Sequence, residues 1–580
     1  MKRYFKHIKP YWFFFLGSPL LMILEVYCDV WIPTLSARII NEGVMTGDKA
    51  VIYATTAQMV GTLILAVISG CGASYCATKA SSNFCHDLRE EIFTKVQAFS
   101  FQNIDKFSTG SLVTRLTNDI TQVGQVVIMA LRMMFRSPGM LIGSMIMAYQ
   151  INAELARIFF VLTPILVVII WIILHFAYPK FALLQTKVDA LNITVQEGLV
   201  NIRVIKAFTR EKYQEVKFQN VNEDLRDTGL RAYRINMLQT PIMTLCVNMA
   251  TLAILWFGSK VLNRGDIQIG DISTMITYLT QILMSVNMLA NVFMQSSRSL
   301  VSIRRLSEVL DETIDISDLL AKNPEKKVLS GDVVFENVNF KYFEKSEANV
   351  LTNINLTIKS GQTVGVVGST GSGKTSLVHL ISRLYDVNSG RILVDGIDVK
   401  DYSLKNLREG VGMVLQQNLL FSGTVKENLL WGNSEATDEE MVKIADYSAS
   451  RGFIEEAPEQ YNSVVDQGGL NFSGGQKQRL CIARALMKKC KILILDDATS
   501  AVDTATERKI RSHLSDDLSE MTKIIIAQRI SSVETADMVV VLDDGEISAI
   551  GTHEELLENS QVYQEIYRSQ ADNGKATEVN

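Results

Sequence analysis

Between Arg157 and Lys180 the chain runs through an apolar stretch in which only His175 can carry charge. A helix needs about 20 apolar residues to cross a bilayer, and this stretch supplies them. Counting this one at 158–178, six such stretches lie in the same half of the chain; the others are near 11–40, 51–80, 126–151, 235–261 and 272–301. A buried helix of a soluble protein would account for any one of them, but not for six in succession. Lipid leaves the backbone only itself to bond to, so the expectation is six transmembrane helices.

Mean composition hides this. Of 580 residues, 47% are hydrophobic and 21% charged, as in an ordinary soluble protein, yet the apolar residues crowd before about Val301. A net charge of −5 leaves no basic footprint for nucleic acid. The 7 cysteines are scattered without C-x-x-C spacing, which argues against a disulfide framework or a zinc site. Polar stretches with helical periodicity, rich in Lys and Arg, occupy residues 81–125 and 181–234. The loops at 41–49 and 263–271 are short and slightly acidic. The positive-inside rule then puts the long stretches and both termini in the cytoplasm. The basic start is followed by no small-residue cleavage site, so an uncleaved first span is expected, with residues 3–10 as an interfacial helix.

A polar linker at 311–330, containing Pro324, ends the membrane half at residue 310. Beyond it, short β-branched runs alternate with amphipathic helices, which predicts an α/β domain over 331–572 and a disordered tail at 573–580. Gly368-Ser369-Thr370-Gly371-Ser372-Gly373-Lys374-Thr375, followed by Ser376, fits the phosphate-cradling loop G-x-x-x-x-G-K-[ST]. The run 363–367 reads as a buried strand, and residues 376–384 read as a helix with its N-terminus on the anion. ATP and Mg²⁺ are the expected cofactors: Lys374 reaches the β/γ-phosphates and the Thr375 hydroxyl ligates the metal. Residues 492–496 read as a strand ending in Asp496, the carboxylate for the metal's water shell, and Asp497 follows where a water-activating base belongs. Ser473-Gly474-Gly475-Gln476 opens a second helix suited to an anion.

As an ordered set these motifs resemble the nucleotide-binding domain of ATP-binding-cassette (ABC) transporters, and residues 1–570 together resemble an exporter half-transporter. The resemblance implies a six-helix membrane domain followed by an α/β P-loop (RecA-like) domain. It implies two cassettes dimerised head to tail, each signature turn capping ATP on the other's P-loop, so that Ser473, Gly474, Gly475 and Gln476 would serve a partner's nucleotide. It further implies Tyr342 as the aromatic on adenine. Gln416 would be the Mg²⁺-sensing residue that links the cassette to the membrane domain. Asp503, closing the loop 500–503, would communicate between sites, and residues 101–112 and 198–211 would be the cytoplasmic coupling loops.

Three positions depart from the family's pattern. Asp497 stands where Glu is usual, Gln528 where His is usual, and Gln467 where an acidic residue precedes the signature. Shortening Glu by a methylene withdraws the carboxylate by roughly 1.5 Å, which costs on the order of a hundredfold in a positioned reaction. Losing a general base costs about 10²–10⁴. Harmless substitution with activity intact is the alternative. Two changes at one reaction centre beside an intact signature suit the slow-site subunit of a heterodimer whose partner carries Glu and His.

The expected function is therefore an ATP-hydrolysing translocase subunit of multidrug type, moving amphiphilic substrates out through the plasma or inner membrane. A peptide or lipid exporter, or an ATP-gated regulatory subunit, is the alternative. No peptidase-like segment precedes the first span, which weighs mildly against a leader-cleaving peptide exporter. Methionines are frequent in the third, fifth and sixth spans, and Met284 and Met288 are candidate cavity residues because flexible thioethers suit varied apolar ligands. Ionisable residues inside spans are candidates by default. Glu25 and Asp29 are four apart on one helical face, as are Arg132 and Arg136. Glu25 and Arg136 count to similar depths of roughly 20 Å, so they are expected to pair and leave Asp29 freer to attract a cation. Separate lining of a hydrated cavity is the alternative.

Overall fold

The computed structural model describes residues 5–318, 321–343, 346 and 348–577, with the backbone alone at 236, 293–298 and 571–577. The chain divides into two compact units, Met1–Gln97 with Thr109–Glu312, and Ala98–Ser108 with Thr313–Asn580.

Among the described residues of the first unit, six helices are long and apolar enough to cross a membrane. They are Trp12–Arg38, Lys49–Gln97, Ile120–Ile151, Ala153–Val200, Gln239–Asn263 and Ile269–Asp311. Lys49–Gln97 has 49 residues, roughly 70 Å of helix, so the polar stretch after the second span continues that span. Ala153–Val200 does the same for the fourth. Its start is fixed by Asn152, whose side chain accepts from the Glu154 and Leu155 amides at 2.9 and 3.0 Å. The fifth span, expected from residue 235, begins at Gln239, because the polar helix Glu211–Met237 ends just before it.

Pro33 lies inside the first spanning helix, where its ring denies the Asp29 carbonyl an intrahelical partner. The sixth spanning helix supplies the missing donors. The Gln281 amide donates to the Asp29 carbonyl at 3.2 Å, and the Tyr278 hydroxyl donates to the Val30 carbonyl at 2.9 Å. This is how a membrane helix tolerates proline: a neighbour satisfies the freed carbonyl groups. On its other flank the first helix meets Ile120–Ile151 through Gly139 and Gly143. A Cβ on either would stand 3.2 or 3.0 Å from Val26 or Val30, so the two helices approach more closely here than most Cβ contacts permit.

The second unit holds a six-stranded sheet in the order Glu546–Gly551, Met538–Asp543, Thr363–Gly368, Thr522–Ile526, Ile492–Asp496, Val411–Val414. It is parallel apart from its antiparallel first edge strand. A four-stranded antiparallel sheet, Leu351–Ile358, Val333–Phe340, Ser389–Val394 and Ile397–Asp398, packs over the helix Lys374–Ile381 with Phe335, Leu356, Leu377 and Ile494 in the shared core. The strand Val333–Phe340 is preceded by a clamp. The Asp395 carboxylate accepts from the Leu329, Ser330, Gly331 and Asp332 amides at 2.6–3.1 Å. These bonds outweigh burial and hold it below the usual carboxylate range. Residues 319 and 320 of the expected linker lie outside the described residues. The tail expected to be disordered from 573 continues the helix Gln561–Thr577, since extending a turn already packed by Val562, Tyr563 and Ile566 costs less than nucleating one; residues 578–580 lie outside the described residues.

The second unit also includes a short helix from far upstream, Phe101–Phe107, started by a capping box between Ser100 and Asn103. Phe101 packs on the shared core beside His379 and Tyr385. The Tyr385 hydroxyl donates to Asp105 at 2.7 Å, and the Asn103 amide donates to the Thr313 carbonyl at 3.1 Å. The loop expected as one piece over 101–112 is therefore divided, since Thr109–Thr114 belongs to the first unit. The other expected coupling loop, 198–211, carries the helix Ile202–Ala207 and is mostly exposed.

Candidate nucleotide and membrane-charge sites

The strand Thr363–Gly368 ends in the centre of the parallel sheet and turns directly into the helix Lys374–Ile381. The turn is tight enough to demand glycine. At Gly373 φ is +93°, and a Cβ there would stand 2.7 Å from Leu351 Cδ2 and 2.9 Å from the Val350 carbonyl. Lys374 folds back over the loop, its ammonium donating to the Gly368 and Ser369 carbonyls at 2.9 and 2.7 Å. Those carbonyls hold the charge where a terminal phosphate would replace them. The Tyr342 hydroxyl meets Ser376 Oγ at 2.7 Å, and its ring packs edge-on against Phe340 and Tyr385, so this aromatic borders the P-loop.

Parallel pairing of Ile492–Asp496 beside Thr522–Ile526 brings the next residues together at the sheet's carboxyl end. Thr375 Oγ1 donates to Asp496 Oδ1 at 3.1 Å, while Asp496 Oδ2 is buried without a partner among the described residues. That pair of hard oxygens beside a phosphate loop fits Mg²⁺, which would there neutralise phosphate charge. Burial raises the Asp496 carboxyl, and the Asp497 charge raises it further against the Thr375 bond. Burial likewise raises Asp497, with a Ser500 hydrogen bond and the Arg529 and Lys374 charges opposing. Lys374 is lowered by burial despite both carboxylates. Each of these groups is thus under-compensated in the direction that a bound metal–phosphate would correct.

Asp497 has φ of +50°, uncommon for a residue with a Cβ and typical of functional turns. The Gln528 side-chain amide donates to Asp497 Oδ2 at 3.4 Å, so the two altered positions touch. Gln528 is itself held by its backbone carbonyl, which accepts from the Gln570 amide at 2.7 Å. Gln416 lies on the exposed loop after Val411–Val414. Among the described residues its side chain makes no hydrogen bond to Thr375 or Asp496, so the three expected metal residues are not all brought together.

Ser473 caps the helix Gly474–Met487. Its hydroxyl accepts from the Gln476 amide at 3.3 Å, and Gln476 Oε1 accepts from the Ser473 amide at 2.9 Å. No hydrogen bond among the described residues joins this turn to the P-loop of the same chain. Asp503 caps the helix Thr504–Asp516 through the Thr506 amide at 2.9 Å. One connection between these elements lies outside any motif. Gln478, 4% exposed, donates to Ser500 Oγ at 3.0 Å and accepts from the Ala501 amide at 2.9 Å, tying the signature helix to the loop that leads to Asp503. A polar residue on the apolar face of an amphipathic helix was the available signal.

In the membrane unit, Arg136 binds Glu25 through Nη1 and Asp29 through Nη2, the latter at 2.9 Å. The expected Glu25–Arg136 pair is present in the structure, but Asp29 is not left freer. Residues four apart on a helix are about 6 Å apart along its axis, and one guanidinium fork reaches both carboxylates. Gly70 faces Glu25, where a Cβ would stand 3.0 Å from the carboxylate. Arg132 does not join the cluster; its Nε is buried without a partner among the described residues. Met284 is exposed and Met288 half-buried, and neither is brought to these charges by a described contact.

Residues 15–286 match the family described as ABC transporter transmembrane region, and residues 351–500 match the ABC transporter family. The chain is 36% identical to the uncharacterized ABC transporter ATP-binding protein YfiB of Bacillus subtilis (strain 168), over 98% of each chain. It is 29% identical to an ATP-dependent lipid A-core flippase of Haemophilus influenzae (strain 86-028NP), over 98% of this chain and 97% of the flippase. Among solved structures it is similar in fold to a bacterial Atm1-family ABC exporter with ATP bound, with a TM-score of 0.80 at 24% identity, covering 96% of this chain and 98% of that one.

Proposed function

The chain belongs to the ABC transporter family, with the membrane region and the ATP-binding domain on one polypeptide, and from that premise we propose that it is the slow-site half of a heterodimeric exporter. The contact between Asp497 and Gln528 carries this reading. An aspartate in place of the longer glutamate holds its carboxylate short of the attacking water, and the Gln528 amide occupies one of its oxygens. Gln cannot exchange a proton as the family's His can. The chain's own site would hold Mg²⁺–ATP on Lys374, Thr375 and Asp496 and turn it over slowly. Ser473, Gly474, Gly475 and Gln476 would complete the fast site on a partner carrying Glu and His. Both termini and the long helical extensions face the cytoplasm on this reading, by the charge of the loops.

In the co-purified pair at saturating ATP, Asp497→Asn is expected to lower ATPase by less than about threefold, because little turnover passes through it. Exchange of the partner's catalytic Glu for Gln should remove nearly all activity. Equal loss in both variants, or full activity of this chain as a homodimer, would overturn the asymmetric reading.

Amphiphilic, drug-like molecules are the proposed substrates. A lipid exporter is the second reading, favoured by the likeness to the lipid A-core flippase. Reconstituted pairs distinguish them by whether a fluorescent cationic dye or a short-chain fluorescent lipid is moved on ATP addition; a regulator that does not pump moves neither. Gln416, on its exposed loop, is proposed to pass nucleotide state to the membrane unit. Gln416→Ala is expected to leave ATP affinity within about twofold and to lower transport per ATP by about tenfold. An equal fall in ATP affinity, measured by titration with a fluorescent nucleotide, would assign Gln416 to metal holding instead.

A further inference from the structure

Away from the nucleotide residues, the second unit contains a cavity of about 320 Å³. It is lined by Lys523, the second residue of the strand Thr522–Ile526, and by Thr363, its parallel partner at the start of the P-loop strand. Rising about 3.3 Å per residue, that strand puts the cavity roughly 17 Å from Gly368.

Lys523 is 2% exposed, and among the described residues its ammonium has no hydrogen-bond or ion-pair partner. Burial lowers its pKa, with only the Asp537 charge opposing. Its stem is buried in the sheet while the ammonium opens into the cavity, where a negative group can meet it. Two more cations line the same cavity, Arg508 and Arg511 of the helix Thr504–Asp516. Arg511 is braced by an Nη1 bond to the Ser531 carbonyl at 2.6 Å, and its Nε is buried without a partner. Arg508 is braced by its Nε bond to the Thr504 carbonyl at 3.3 Å. Two carboxylates oppose them: Glu534, which lines the cavity, and Asp537, which is already engaged by the Thr363 amide at 2.7 Å. Three cations thus outnumber two acids.

We propose that this cavity binds a small, soluble, phosphate-bearing molecule, held by the two guanidinium forks and the Lys523 ammonium. Arginine forks match phosphate oxygens, and a buried lysine supplies a point charge. Leu514 and Ile525 add an apolar wall, so the ligand carries a small organic body as well as the anion. Nothing in this depends on the slow-site reading. Because the bound anion favours charged Lys523, binding weakens as pH rises through the titration of that amine.

Pyridoxal 5′-phosphate is a suitable probe. Its aldehyde condenses with an uncharged lysine amine to an imine, releasing water, and borohydride reduces the imine to a stable secondary amine that peptide mapping locates. The full-length transporter is treated with ATP and Mg²⁺ in excess to shield Lys374. Lys523 is expected to be labelled at least about tenfold more by pyridoxal 5′-phosphate than by pyridoxal, and glycerol phosphate should suppress the difference. Arg508→Gln and Arg511→Gln, both away from the sheet core, should each remove most of the phosphate advantage and leave pyridoxal labelling unchanged. Equal labelling by the two aldehydes, or none at Lys523, overturns the proposal. Protection by phosphatidylglycerol vesicles but not by glycerol phosphate would overturn the soluble ligand.

Discussion

Gly475→Asp is expected to lower the ATPase of the assembled transporter by at least about a hundredfold, although it lies on the chain whose own site is slow. Two effects combine. A Cβ at 475 would stand 2.8 Å from the Ala501 carbonyl, so the loop that leads to Asp503 has to shift. A carboxylate in the first turn of the helix Gly474–Met487 also places negative charge where the proposed head-to-tail dimer puts a partner's phosphate. The same charge favours the helix itself, since anions stabilise N-terminal turns, so any fall in melting temperature should be no larger than that of Gly475→Ala. Gly475→Ala separates the two effects by adding the Cβ without the charge, and should retain several-fold more activity. A Gly475→Asp pair that hydrolyses ATP normally would show that no nucleotide meets this turn.

Arg136→Met is expected to destabilise the membrane unit by about 1–3 kcal/mol, because it leaves the half-buried Glu25 and Asp29 carboxylates without their cation. Breaking a half-buried ion cluster by removing one partner costs more than replacing it whole. The triple variant with Glu25→Gln and Asp29→Asn should therefore recover most of the loss. Melting temperature and yield of monodisperse protein in detergent measure both. If the single variant is as stable as the parent, the three residues do not form a cluster. If the triple variant is as unstable as the single one, arginine's packing rather than its charge is what matters.

The strongest signals are legible in the sequence because they are local in the chain. Six apolar runs, the loop 368–375 and the serine cap at 473 each declare themselves within a few residues, and the helices, strand and turn form there. What the sequence does not display depends on partners far away in the chain. Gln281 completes the Asp29 carbonyl across 252 residues, and Tyr385 reaches Asp105 across 280. Depth counting brought Glu25 to Arg136, but a one-dimensional count has no way to show that a fork also takes Asp29. Gln478 was missed for the opposite reason: a buried glutamine inside an amphipathic helix looks like an ordinary lapse in pattern until its two loop bonds are seen. The break at Leu238 depends on where two helices end, and element boundaries are the least reliable part of any sequence reading.

The helix Phe101–Phe107 has a practical consequence for anyone who wishes to work with the soluble domain alone. A fragment begun at Thr313 contains both sheets and every nucleotide residue, yet it omits a piece of its own interior, since Phe101 packs on its core and Asp105 accepts from Tyr385. Such a fragment exposes an aromatic hollow formed by His379 and Tyr385, the kind of sticky patch that drives self-association. Grafting residues 98–108 onto its N-terminus through a flexible tether would restore the missing plug. Biochemistry on the truncated fragment therefore describes a domain with part of its own wall removed.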